Sequence, residues 1–149
     1  MNITVKELLE AKVALEILSG QRVKSAEKEA RKLAYKIVKN IDKINQALRE
    51  YEFNRQELIS VYAEKNDKGN PVREGNGIKL QPARQREFYE KINDEQAEVV
   101  DVEIRQFSED EIQEISNKYE LSMQTLAYIE WMIAEGEALL NPKVKSSPE

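Results

Sequence analysis

The sequence contains no cysteine and no histidine. That removes thiol nucleophiles, disulfides, imidazole bases and every zinc site built on Cys or His. Glycine is scarce, at 5 of 149 residues, and no Gly-Lys-Ser/Thr occurs. Gly69, Gly75 and Gly77 follow a helical stretch and lack the strand-to-helix setting of a phosphate loop. No apolar run approaches the roughly 20 residues that a membrane span needs. Met1–Ser19 is amphipathic and acid-containing, without the basic lead and apolar run of a secretory signal, so a cytoplasmic product is expected. Hydroxyls have no base beside them, and nothing concentrates Tyr, Lys and carboxylates. The expectation is therefore a protein that is not an enzyme and holds no cofactor and no metal.

What is present is charge and helical periodicity. The chain is 40% hydrophobic and 34% charged, with a net charge of −5. Its length suits one domain able to bury a real core. Residues 21–65 carry eleven bases against seven acids, and residues 98–149 four bases against twelve acids. A basic middle and an acidic C-terminal third can attract each other within the fold or face different partners.

The longest pattern is a seam of Ala30, Ala34, Ile37, Ile41, Ile44, Leu48, Tyr51, Leu58 and Tyr62, interrupted only by Arg55. Steps of four and three give a 3.5-residue repeat, which aims one edge of a helix at a partner helix. The spacing predicts one long central helix over about 26–63, with Ser25 as its N-cap. Thr4 and Glu7 form a capping box for an earlier helix with Leu8, Ala11, Leu15 and Leu18 on one face, stopped at Gly20. That helix is too short to cover the seam. The last helix, capped by Ser122 and carrying Leu126, Ile129, Trp131, Met132 and Ile133, is apolar over most of its circumference and is expected to cover the rest.

Between these lie weaker signals. Asn66–Pro71 and Gly75–Gly77 are turn chemistry. Ile78–Leu80 reads as a short strand, and Arg84–Asn93 as a short helix with Phe88 and Ile92 inward. Val100, Val102 and Ile104 alternate with Asp101, Glu103 and Arg105, the period of a half-buried strand. Ser108 and Glu111 repeat the capping box. The fold class is therefore mainly α, with a long helix packed against shorter ones and a small β element near 78–80 and 99–105. One helical domain is expected over 1–140, with a disordered tail over 141–149.

Candidate sites are few. The seam reads first as internal packing and second as an interface, including a possible homodimer through the long helix. The run Lys24, Lys28, Arg31, Lys32, Lys36, Lys39, Lys43 is the best case for nucleic acid. Glu27, Glu29 and Asp42 dilute it, only one of the seven is arginine, no interleaved aromatics are expected to stack bases and the chain is acidic, so a solvated helix face is favoured over nucleic acid. Asp101 with Glu103, and Glu109–Glu111 with Glu114, are the only acid clusters that would suit a divalent cation. Strand alternation and helix-dipole complementarity explain them more simply. A protein partner is expected instead, with Lys39, Lys43, Tyr51, Arg55 and Tyr62 as the contact residues.

A resemblance points the same way. Ile3–Lys12 followed by Ala14-Leu15 and Ser19-Gly20 is similar to the start of a family of small uncharacterised phage and prophage proteins of Gram-positive bacteria. So are Ala34–Ile41, Glu57–Ile59 with Tyr62, Val100–Ile104 and Ile129–Ile133, in that order along most of the chain. The chain departs from the family around 20–30, where a shorter, proline-containing link is expected. The resemblance implies a phage origin and a non-enzymatic virion- or tail-associated or assembly role, in the host cytoplasm or on the virion. An inhibitor of a host enzyme such as a defence nuclease is the alternative, with a nucleic-acid-binding accessory behind it.

Overall fold

The computed structural model describes residues 1–19, 28–118 and 122–134. They form a mainly α-helical fold with minor β structure, as the periodicities predict, the β part being two small antiparallel sheets. The expected caps at Gly20 and Ser25, the helix start at 26 and the tail over 141–149 lie outside the described residues.

Strand β1 (Asn2–Thr4) runs directly into helix α1 (Val5–Ser19). The junction is the expected capping box: Glu7 N–H donates to Thr4 Oγ1 at 3.1 Å and Thr4 N–H to Glu7 Oε1 at 3.3 Å. Two otherwise unpaired amides of the first turn are thereby satisfied. The α1 stripe is closed on all sides, with Leu8, Ala11, Ala14 and Leu15 at 0% exposure. β1 itself is a finding, since three residues are too short to show an alternation. It pairs antiparallel with β4 (Val99–Asp101), Ile3 opposite Val100.

The long central helix is corrected to two: α2 (Lys28–Ala47) and α3 (Arg49–Tyr62), meeting at Leu48 with φ −89° and ψ −1°. No proline or glycine marks the break. It coincides with a hand-over between two cores. Ile37, Ile44, Leu48 and Tyr51 belong to the main core with α1, and Tyr62, Leu58 and Ile59 belong to a second, smaller one.

The covering elements also differ from expectation. α1 lies on α2, whereas α3 is covered by α4 (Gln85–Gln96), and the last helix, α6 (Met123–Ile129), packs on α1. Phe88 and Ile92 of α4 do face inward and close the second core with Tyr62 and Leu80. Between α3 and α4 the chain makes a small β arm. β2 (Arg73–Glu74) pairs with β3 (Gly77–Ile78), and Ala63 bridges to Leu80. Gly75, at φ 59°, supplies the left-handed residue that a two-residue hairpin turn requires. Asn66 Oδ1 accepts from the Lys68 and Asn70 amides at 2.9 and 3.1 Å, closing the preceding turn.

The expected strand over 99–105 pairs only as far as Asp101, yet its alternation persists: Val102 is buried and Ile104 half-buried, while Asp101, Glu103 and Arg105 are exposed. Val102 N–H still donates to Met1 O at 2.9 Å, and at Arg105 a side chain takes over the role of a neighbouring strand, as described below. Phe107, fully buried, ties to the last segment through Phe107 N–H to Met132 O and Ala134 N–H to Phe107 O, at 2.9 and 2.8 Å. Helix α5 (Glu109–Lys118) starts on the second capping box and buries Ile115, and Ser122 caps α6 as expected.

Candidate functional site

Two surfaces concentrate chemistry. The first lies where the outward face of α2 meets the extended segment 102–107. The Asn40 side chain is 0% exposed and forms two hydrogen bonds with one residue's backbone. Its Nδ2 donates to Arg105 O at 2.9 Å, and Arg105 N–H donates to its Oδ1 at 2.8 Å. One turn earlier, Lys36 Nζ donates to Gln106 O at 3.0 Å and to Glu111 Oε1 at 2.7 Å. These bonds fix the path of the segment across the helix. As a result Arg105 stands over the Tyr35 ring, its guanidinium carbon 5.6 Å from the centroid, and Lys39 Nζ lies 5.3 Å from the same ring. Arg31, Lys32, Tyr35, Lys36 and Arg105 line a shallow depression there.

Burial alone would raise the pKa of Glu111. The Lys36 ammonium and the Ser108 amide outweigh it, and the net direction is down from the usual carboxylate value. A carboxylate held lower in the folded state stabilises the fold above the unfolded-state pKa, and that stability is lost as pH falls through the folded one. Glu111→Gln is therefore expected to flatten the acid side of the stability–pH curve. Urea melts between pH 3 and 7 check this, and an unchanged curve would refute it.

The second surface is a groove between α3 and α4. It is lined by the apolar Leu58 and Val61 and by Glu57, Asp94 and Glu95, with Lys91 and Asn54. Phe53, one turn before Glu57, is 65% exposed.

The five expected contact residues do not converge. Lys39 joins the Tyr35 cluster and Lys43 is exposed one turn further along α2. Arg55 is half-buried on α3. Tyr51 and Tyr62 are corrected from surface to core, at 6% and 3% exposure. They stand in register with the seam, and burying such rings removes a large apolar area from water. The Tyr51 hydroxyl accepts from Gln96 Nε2 at 3.1 Å. Tyr62 meets Phe88 edge-on at 5.9 Å and carries the Arg84 guanidinium 4.2 Å above its ring. The Glu87 carboxylate beside its hydroxyl pushes the Tyr62 phenol up, away from the range of a general base. With Ile37, Ile44, Leu48 and both tyrosines buried inside one chain, the seam offers a second copy no continuous apolar strip among the described residues.

Sequence reasoning passed over Tyr35 and Arg105. Tyr35 was legible as an aromatic between Lys32 and Lys36, but Arg105 reaches the cluster only through the tertiary fold. Of the acid clusters, Asp101 accepts from the Met1 amino nitrogen at 2.9 Å and Glu111 takes Lys36. Among the described residues no group of three or more acids stands close enough to hold a metal ion, and no helix is long and apolar enough to cross a membrane. Comparison with protein-family models, curated proteins and solved structures returns no match.

Proposed function

We propose that this chain is a non-enzymatic protein-binding module that takes a basic amphipathic helix of a partner protein in the α3/α4 groove. The observation that carries the reading is the groove itself, where the apolar Leu58 and Val61 stand among the acids Glu57, Asp94 and Glu95. A helix laid in such a groove buries its apolar stripe on the apolar pair, and lysines or arginines flanking the stripe meet the acids. Phe53, exposed on the same helix, extends the apolar area available to the partner. The resemblance to phage proteins makes a virion- or tail-associated or assembly accessory the natural setting, and an inhibitor of a host enzyme the alternative.

A photo-cross-linking residue at position 61 tests this, because Val61 is 53% exposed and its replacement spares the core. In host cells the expected adduct is to one protein, through a helical segment bearing Lys or Arg, and it is lost when Glu57, Asp94 and Glu95 become Lys. A phage particle protein as the adduct supports the accessory setting, and a host enzyme that loses activity supports the inhibitor. Cross-links to acidic or non-helical segments, or adducts indifferent to the charge reversal, overturn the groove as the contact.

A further inference from the structure

A face of α2, formed by none of the residues that line this groove, carries a different chemistry. Arg31, Lys32, Lys39 and Lys43 are spread over roughly 18 Å of helix, with about two turns between Lys32 and Lys39 in which Tyr35 and Lys36 stand. Arg105 adds a fifth from the crossing segment. Lys36 is neutralised by Glu111, but no described carboxylate pairs with Arg31, Lys32, Lys39, Lys43 or Arg105. Asp42, exposed between Lys39 and Lys43, and Glu103, exposed on the crossing segment, offset part of this charge, and the five cations still outnumber them.

Charge alone describes a solvated helix. What distinguishes this face is Tyr35, 55% exposed, with the Lys39 ammonium 5.3 Å and the Arg105 guanidinium carbon 5.6 Å from its ring centroid. Leaving a large ring in water beside two cations gains the fold little, since exposed cation–π contacts are worth only about 0.5–1 kcal/mol. Arg105 is moreover placed by a buried amide: Asn40 holds both backbone polar groups of that residue. The site is pre-formed, with a flat aromatic surface and a planar guanidinium beside flexible ammonium groups. Phosphates are met by the cations, and an unstacked base finds the ring. A double helix offers the phosphates but keeps its bases stacked. An acidic protein segment would use the charges and leave the ring idle.

We infer that the Tyr35 face of α2 binds single-stranded nucleic acid, with Arg31, Lys32, Lys39 and Arg105 on phosphates and one base stacked on Tyr35. This site is separate from the α3/α4 groove and stands whether or not the groove has a partner.

The test is fluorescence anisotropy of a labelled oligothymidylate of about 20 nucleotides, titrated with the full chain at several salt concentrations. The expected result is binding whose log K falls with log salt at a slope near −2 to −3, as for three or four phosphates of a single strand. Tyr35→Ala is expected to weaken it roughly ten-fold, the loss of one base–aromatic stack, while Tyr35→Phe keeps it. Arg31→Glu with Lys32→Glu should abolish it. Glu57→Lys, in the groove, should not weaken it, which keeps this result distinguishable from that of the cross-linking experiment. Circular dichroism confirms folding, and if the double reversal unfolds the chain, Arg105→Ala replaces it. No binding at 20 mM salt overturns the inference. So does binding unchanged by Tyr35→Ala, or a preference for an acidic peptide or for duplex over the single strand.

Discussion

Replacing Ile44 or Leu48 with aspartate is expected to unfold the protein. Both side chains are essentially sealed from solvent, at 0% and 1% exposure, and they lie where α2 passes into α3. Removing the aliphatic side chain loses roughly 2–5 kcal/mol of burial and packing. A carboxylate left there without a counter-charge adds several kcal/mol more, because the core has no water or donor to replace its hydration. Together these exceed the lower half of the 5–15 kcal/mol that holds a typical domain. Helical circular dichroism at 25 °C should fall to that of an unfolded chain for Ile44→Asp. Val38→Asp, on the same helix but 49% exposed, should leave the spectrum within error of the parent and the stability within about 0.5 kcal/mol. Ile41, half-buried, should give an intermediate loss. A folded Ile44→Asp protein that sediments as a smaller species would mean that the seam serves association instead, and the buried-core assignment would fail.

That result bears on how much of this fold could be read in advance. The seam, both capping boxes, the Ser122 cap and the inward Phe88 and Ile92 were legible, because each rests on a local rule: a period, a cap, a turn residue. The break at Leu48 was not. No residue there disfavours helix, and the hand-over from the main core to the second one is a matter of tertiary packing. β1 was hidden for a related reason, since three residues carry no period and its partner lies almost a hundred residues away. The sequence also misdirected the site. Tyr51 and Tyr62 look like contact aromatics in a linear reading, but the seam register that places them on one edge is the register that buries them. The α3/α4 groove needed the knowledge that α4, not α6, lies on α3. The Tyr35 cluster was half legible, through Lys32-Leu33-Ala34-Tyr35-Lys36, while Arg105 depends on a contact made by one buried side chain.

That side chain, Asn40, is where the second large effect is expected. Its amide supplies to Arg105 the two hydrogen bonds that a neighbouring strand would otherwise give, at 2.9 and 2.8 Å, from a position with 0% exposure. Asn40→Ala removes both partners at once. Leaving a buried donor or acceptor unsatisfied costs about 1–3 kcal/mol each, so a loss of roughly 2–6 kcal/mol in urea melts is expected. Asn40→Asp is isosteric and should be worse at neutral pH. It keeps an acceptor for Arg105 N–H, but it sets a carboxylate oxygen against Arg105 O and buries a charge. Desolvation raises the pKa of such a carboxyl above the unfolded value of about 3.9. The protonated form, able to donate to Arg105 O, is then favoured by folding. Relative to the parent, this variant should be least damaged below about pH 4 and should lose stability as pH rises through the raised pKa. Both variants should also release Arg105 from the Tyr35 ring and weaken oligonucleotide binding about as much as Arg105→Ala does. If Asn40→Ala costs under 0.5 kcal/mol, the segment is held by Phe107 and Lys36 alone, and the pre-formed character of the Tyr35 face goes with it.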